Sequence, residues 1–385
     1  MRASDLTRLW FATLAQYMAS GFVFPLFPIY MAYRGLTTWE VGLVVSIATI
    51  VSIVPTMVIG RFSDVMGGER VQLVIGLGLA FLIPFYIFLN SLLLFIIAHS
   101  LYLVLIFSYM TLAGSIAMDY IRSSRGTRFG RFRTSGALGW ILGCFLGGVV
   151  VESIGFIGVF LVSCIVFIVS AFLFGFGSSK RKIVSDRVGA SSFIRFDVLR
   201  DLMFNRLFFY LMISVFVASL TTPAYYTFLP LYMTRVLNAS SFMSSLTFSI
   251  TPLAEIPAMV YFGALSDRFG RVNVITLCFL AYPLRYLLTV SVGNPFLVIL
   301  VQLLHGLTFG GLYVVSTAYI SEIVSEDRKG LALSLYTVFM NLGSFIGNYI
   351  LGWVADFIGF ETMYYLAALI SSFSIVIILL SKKFS

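Results

Sequence analysis

Three ionisable residues sit where a charge is costly. Glu255, Arg285 and His305 each lie deep inside a long apolar run. At ~1.5 Å of helical rise per residue, Glu255 and Arg285 would each stand roughly 18 Å from the polar edge of their runs, and His305 roughly 15 Å. A charge at the centre of a bilayer costs about 2.5–3.5 kcal/mol on insertion scales, so intramembrane ionisable groups pair with one another and mark ion pathways. An acid, a fixed cation and a titratable imidazole at one depth suit a proton relay in which Arg285 moves on and off Glu255. The plainer alternative is a static ion pair bracing the helices. Other chemistries have less to work with. The second histidine, His99, lies nearer one end of its run and reads as a helix-packing group. Cys144, Cys164 and Cys278 all fall inside apolar runs, and an odd number there is neither a disulfide framework nor a zinc site. With no metal-ligand set, no metal is expected. No glycine-rich phosphate loop ending in Lys-Ser/Thr opens a helix, so ATP is not the expected energy source and no cofactor is expected.

The elements that hold these residues are membrane-spanning helices. The chain of 385 residues is 60% hydrophobic and 11% charged, against about 25% charged in soluble domains. Twelve apolar runs of about 20 residues are each long enough to cross a bilayer: 9–33, 38–60, 71–89, 93–118, 134–152, 156–176, 207–234, 242–263, 273–291, 296–320, 331–353 and 361–380. Backbone groups in hydrocarbon need internal partners, which makes these runs helices. The fold class is therefore an all-α membrane protein. The first run is too long for a cleaved signal peptide and lacks a small-residue cleavage site. The net charge of +9 is not a nucleic-acid footprint. Of the 25 Lys and Arg, all but Arg34, Arg235 and the intramembrane Arg285 fall on one side of the predicted spans. Such a bias marks the cytoplasmic side, and with an even number of spans it places both termini there. Short loops and the lack of a targeting segment suggest a prokaryotic plasma membrane.

The chain also repeats itself. Phe27-Pro-Ile-Tyr-Met31 matches Leu229-Pro-Leu-Tyr-Met233, Pro55 matches Pro257, Asp64 matches Asp267, and Asp119 matches Glu322, all about 202–203 residues apart. Parallel repeats of this kind build two bundles, with the solute near the midplane. The expected domains are an N-terminal six-helix bundle over 1–176, a polar, basic cytoplasmic linker over 177–206 and a C-terminal six-helix bundle over 207–385.

Gly263, Asp267, Gly270 and Arg271 spell G-x-x-x-D-x-x-G-R, and Gly60, Asp64, Gly67 and Arg70 form an earlier, altered copy with Gly68 and Glu69 where basic residues are usual. This signature resembles the loop between the second and third helices of major facilitator superfamily transporters, here present in both halves. The resemblance implies a twelve-helix secondary transporter rather than an enzyme, and makes these residues a cytoplasmic gate. The glycines are read as permitting tight turns and close helix approach, with Arg61 or Arg70 able to pair in the first copy. Arg285 and His305 share the spacing of the ninth-helix arginine and tenth-helix histidine in the lactose permease group of oligosaccharide and nucleoside proton symporters. Three departures stand out. Glu255 lies about one turn nearer the cytoplasm than that group's acid, Thr308 replaces a second acid, and further charged pairs are missing.

A second match covers the end of the fourth span and the fifth: Ala113-Gly114, Asp119, Phe129-Gly-Arg131-Phe-Arg133, Gly136 and Gly139-Trp140. Carried over, Asp119, Arg133 and Trp140 become the solute-binding residues, the arginine bridging hydroxyls and the indole stacking on a ring face. Asp119 could instead belong to the gate, as Glu322 does in the repeat. Gly136, Gly139, Gly143, Gly147 and Gly148 read as a small-residue packing stripe, although they also resemble the antiporter motif of drug exporters. Gln16, Tyr17, Tyr30, Tyr109, Asn341 and Asn348 are polar candidates for a cavity wall or for interhelical hydrogen bonds. The functional expectation is proton-coupled symport of a small polar solute, a sugar or nucleoside. The alternative is proton-driven export of small molecules or drugs. The expected partners are the solute and the bilayer, and the protein is expected to act as a monomer.

Overall fold

The computed structural model describes residues 3–121, 125–176 and 196–384. Eleven helices among them are long and apolar enough to cross a membrane. One of these, Arg125–Gly175, is broken at Gly155, whose backbone (φ 73, ψ −175) no helix contains, so twelve crossings result. We number them α1 (Asp5–Tyr33), α2 (Thr38–Met66), α3 (Gly68–Phe88), α4 (Leu92–Tyr120), α5 and α6 on either side of Gly155, α7 (Arg206–Arg235), α8 (Ser241–Phe269), α9 (Arg271–Ser291), α10 (Pro295–Ile323), α11 (Glu326–Phe357) and α12 (Phe360–Ser381). Of the expected linker, residues 177–195 lie outside the described residues; the rest is a short helix, Phe196–Phe204.

Most helices run further than the apolar stretches predict, chiefly at their polar ends. The motif loops shrink accordingly. Gly60 and Gly263 lie inside helices, not in turns, and each turn is a single glycine with positive φ: Gly67 (φ 92) and Gly270 (φ 86). Side-chain caps mark several of the helix starts. Thr37 and Glu40 form a reciprocal capping box at α2, and Ser91 and Asn294 accept backbone N–H bonds at the start of α4 and α10. Those two caps occupy equivalent positions in the repeat.

Contacts divide the chain into two compact units, Met1–Ser185 with Met233–Ser249, and Asp186–Tyr232 with Ile250–Ser385. In the first unit, α5 lies directly against α1. A Cβ on Gly139 or Gly143 would strike the carbonyl oxygens of Leu14 and Met18, and one on Gly147 would come 2.7 Å from that of Phe22. The glycine stripe is a helix-packing surface. Residues from the second half of the sequence complete this unit. The Phe242 N–H donates to Glu152 at 3.1 Å and Ser249 donates to the Ile141 carbonyl at 2.9 Å. In the second unit, Gly343 and Gly347 of α11 meet the backbone of α7 in the same way. Large apolar side chains such as Phe81 (80% exposed) and Val260 (73%) face outward, as lipid contact requires.

One motif residue behaves differently from expectation. Glu69 is turned inward and buried. It accepts from Arg8 at 2.8 Å and from the Tyr120 hydroxyl at 2.7 Å. Arg8 also donates to the carbonyls of Leu173 and Phe174. The acid that interrupts the first motif thus ties together one end of α1, α3, α4 and α6.

Candidate functional site

The chemistry gathers in the second unit. On α8, Pro252 and Pro257 flank Glu255 inside the helix. On α10, His305 is followed by a π-helical segment, Gly306–Gly311, a distortion frequent at functional sites. Gly306 and Gly310 let α10 approach until a Cβ would stand 2.7 Å from the Ala254 oxygen and 3.0 Å from the Glu255 oxygen. That approach brings His305 Nε2 to 3.2 Å from Glu255 Oε1.

Arg285 comes from α9, two residues after Pro283 within the helix. It is 3% exposed. Its Nη1 lies 2.9 Å from His305 Nδ1 and donates to Thr308 Oγ1 at 3.1 Å, while Nε donates to Gln302 Oε1 at 2.9 Å. The guanidinium carbon stands 4.0 Å from the Tyr225 ring centre, a cation–π contact worth about 2 kcal/mol or more when desolvated. Nη2 is buried with no hydrogen-bond acceptor in the protein. A guanidinium only donates, so Nδ1 of His305 is the acceptor and the imidazole hydrogen sits on Nε2. That nitrogen faces both Glu255 and the Tyr226 hydroxyl, the latter at 3.3 Å. Phe309 stacks on the imidazole at 5.4 Å between centres, and the Tyr225 ring lies tilted against it at 4.7 Å.

A cavity of ≈ 140 Å³ opens beside this chain of contacts, walled by Arg285 and His305 with Thr222, Tyr226, Asn341 and Ser344 among others. The sequence places Arg285 next to Glu255 in the expected relay; the structure inserts His305 between them. It also adds Gln302, Tyr225 and Tyr226, whose types alone carry no signal among so many apolar and aromatic neighbours, and gives Thr308, which stands in place of a second acid, a hydrogen bond from Arg285.

In the first unit, Asp119 is exposed and penultimate in α4, Arg133 is exposed on α5, and Trp140 is half-buried two turns further on, its indole 5.2 Å from the Phe24 ring. Tyr17 packs over Gly136 beside them. Of the polar wall candidates, Asn341 lines the second-unit cavity. Asn348, Tyr30 and Tyr109 make hydrogen bonds between helices. Gln16 is fully buried with neither amide atom bonded within the protein. His99 is a brace, its Nδ1 3.1 Å from the Tyr86 hydroxyl. Arg271 of the second motif pairs with Asp267 at 2.6 Å and with Glu322 at 2.8 Å, joining α8, α9 and α10 at one end.

Twelve membrane-spanning helices in a repeated architecture, with a motif turn in each half, define the major facilitator class of transporter. The family comparison agrees: the model of the MFS_1 like family matches residues 6–366, and the chain belongs to that family. It is 28% identical over 390 residues to the uncharacterized MFS-type transporter MJ1560 of Methanocaldococcus jannaschii, covering 97% of this chain and 96% of the relative. It is 23% identical over 374 residues to the multidrug resistance protein MdtG of Salmonella typhi, covering 94% and 92%. The crystal structure of the nucleoside transporter NupG superposes with a TM-score of 0.83 at 14% identity, covering 99% of this chain and all of that one. The protein is a multi-pass membrane transporter, and its family consists of transporters rather than enzymes.

Proposed function

We propose that this transporter is a proton-coupled symporter of a small polar solute of sugar or nucleoside type, working by alternating access between a half formed by 1–176 and a half formed by 207–385. Both termini lie on the cytoplasmic side, as the distribution of basic residues favours. The observation that carries the reading is the chain Glu255–His305–Arg285 beside a polar cavity. The Nδ1 lone pair of His305 holds Arg285. A proton arriving there takes that lone pair and expels the guanidinium N–H, while a proton arriving on Glu255 removes the negative charge that Nε2–H faces and weakens that hydrogen bond. Proton loading of His305 changes where Arg285 points, and Arg285 forms part of the cavity wall. A proton and a solute can thus be made to depend on each other through one side chain. Asp119, Arg133 and Trp140 supply hydroxyl and ring contacts to the solute from the first half. The glycine turns and the Arg271 ion pairs form the inner gate.

A second reading, proton-driven export, is favoured by the similarity to a relative named for multidrug resistance. Against it, the cavity wall carries a buried guanidinium and no carboxylate, which suits a lipophilic cation poorly. The test is a proteoliposome enclosing a pH-sensitive dye, challenged with sugars, nucleosides and lipophilic cations. Proton entry together with a sugar or nucleoside is the expected result. Proton movement opposite to a lipophilic cation would replace symport with export.

A further inference from the structure

The cavity walled by Arg285 has an unbalanced charge. Every polar partner of Arg285 is neutral: the Gln302 amide, the unprotonated nitrogen of His305, the Thr308 hydroxyl and the Tyr225 ring face. No described carboxylate lies within ion-pairing distance of it. Glu255, the nearest acid in the chain of contacts, is held on the far nitrogen of the imidazole and does not line the cavity. A buried charge is costly unless it is paired with an opposite charge, and Nη2 still lacks an acceptor in the protein. The remaining wall supplies donors and acceptors for hydroxyls: Thr222, Tyr226, Asn341 and Ser344. Among the described residues no other lysine or arginine lines it, so the wall matches one negative charge rather than the two of a phosphate ester.

We propose that the second-unit cavity is a carboxylate subsite, with the Arg285 guanidinium that walls it as its anchor, and that the transported solute is a hydroxylated monocarboxylate, a sugar acid rather than a neutral sugar. This deepens the symport reading above and rests on it for the word "transported"; the anion subsite stands on the geometry of Arg285. An arginine fork meets a carboxylate in bonds about twice as strong as neutral ones. The carboxylate supplies the charge that Arg285 lacks, and the hydroxyl-bearing body lies against the Ser, Thr and Tyr side chains. The charge balance has a consequence. One proton entering with one monocarboxylate moves no net charge across the membrane, whereas one proton entering with a neutral sugar moves one positive charge.

The experiment uses the full-length protein in proteoliposomes holding a pH-sensitive dye, with a potential-sensitive dye in parallel. The probes are D-gluconate, D-glucuronate, D-glucose and uridine. The expected result is proton entry driven by gluconate or glucuronate without an inside-positive potential. Proton entry with glucose or uridine, accompanied by that potential and absent with the acids, would overturn the carboxylate subsite and leave symport standing. If no probe moves protons, the symport reading falls, and binding decides the subsite alone. For that, thermal shift of the purified protein is titrated with gluconate, glucose and chloride. Stabilisation by gluconate, weakened at least about tenfold in Arg285→Gln and partly kept in Arg285→Lys, supports the subsite, since a hydrogen bond to a charged group is worth about 1.5–3 kcal/mol. Equal stabilisation by glucose or by chloride, or none by gluconate, overturns it.

Discussion

Both ring nitrogens of His305 are engaged, and neither engagement survives every protonation state. Nδ1 must accept from Arg285, and Nε2–H must find Glu255 or Tyr226. Glu255→Gln keeps an oxygen that accepts the same hydrogen bond but removes the titratable proton. The expected outcome is loss of uphill accumulation with solute exchange retained, measured as gradient-driven uptake against counterflow in proteoliposomes. Full accumulation by this variant would take Glu255 out of coupling. In the first unit, Trp140→Phe is expected to weaken solute binding roughly 2- to 10-fold, the equivalent of the about 0.5–1.5 kcal/mol an aromatic contact adds beyond its area. Unchanged affinity with intact folding would remove Trp140 from the solute site. Gln302 has a simpler part: it takes the Arg285 Nε and reaches back to Thr289 at 3.3 Å. The same two positions of the first repeat hold His99 and Tyr86, also hydrogen-bonded. Gln302 is therefore a brace that fixes Arg285, not a ligand-binding group.

Helix ends and crossings carry the next set of expectations. Glu69 is buried and forms an ion pair with Arg8 at 2.8 Å. Removing one member of a buried ion pair costs about 3–5 kcal/mol because the other is left uncompensated. Arg8→Ala should thus sharply lower the thermal unfolding midpoint in detergent, and the double variant Arg8→Ala, Glu69→Leu should recover much of it. An unchanged midpoint in the single variant would mean that Glu69 is solvated after all. The contrasting pair, Arg271 with Asp267 and Glu322, is partly exposed at the acids and belongs to the class of ion pairs worth at most ~1 kcal/mol; its removal should be felt in gating kinetics before stability. Gly143 sits where α5 touches the α1 backbone. Gly143→Val should cost at least the about 1–3 kcal/mol of an overpacked core, seen as poor yield of monodisperse protein.

At the scale of the molecule, the two repeats share one frame but not one chemistry. Gly67 and Gly270, and the caps Ser91 and Asn294, fall at the same displacement of 203 residues. At that displacement, Arg285 and His305 correspond to Leu82 and Tyr102, both buried. The pseudo-symmetry supplies equivalent helices, and only the second copy is charged at the membrane's depth. Orientation is testable in intact cells. In a cysteine-free background, Asn90→Cys and Asn238→Cys should react with a membrane-impermeant maleimide from outside, and Ser325→Cys only after permeabilisation. The reverse pattern would overturn the placement of both termini in the cytoplasm.

Hydrophobicity is dense enough along this chain to specify nearly everything local. Runs of apolar residues require helices because the bilayer offers backbone groups no other partner. The repeat and the G-x-x-x-D-x-x-G-R turns gave the class of transporter, and depth along each helix marked Glu255, Arg285 and His305 as the costly residues. Helix rotation and side-chain reach were not available from depth. Whether Arg285 meets Glu255 directly or through His305 depends on how closely α10 approaches α8, and that is set by Gly306, Gly310 and the π-helical turn rather than by any charged residue. The inward turn of Glu69 toward Arg8 was equally hidden, because its partners Arg8 and Tyr120 come from α1 and α4, each distant from it in sequence. Local composition decided what each segment is. Only packing decided which polar atoms face one another, and so left one nitrogen of Arg285 without a partner in the protein.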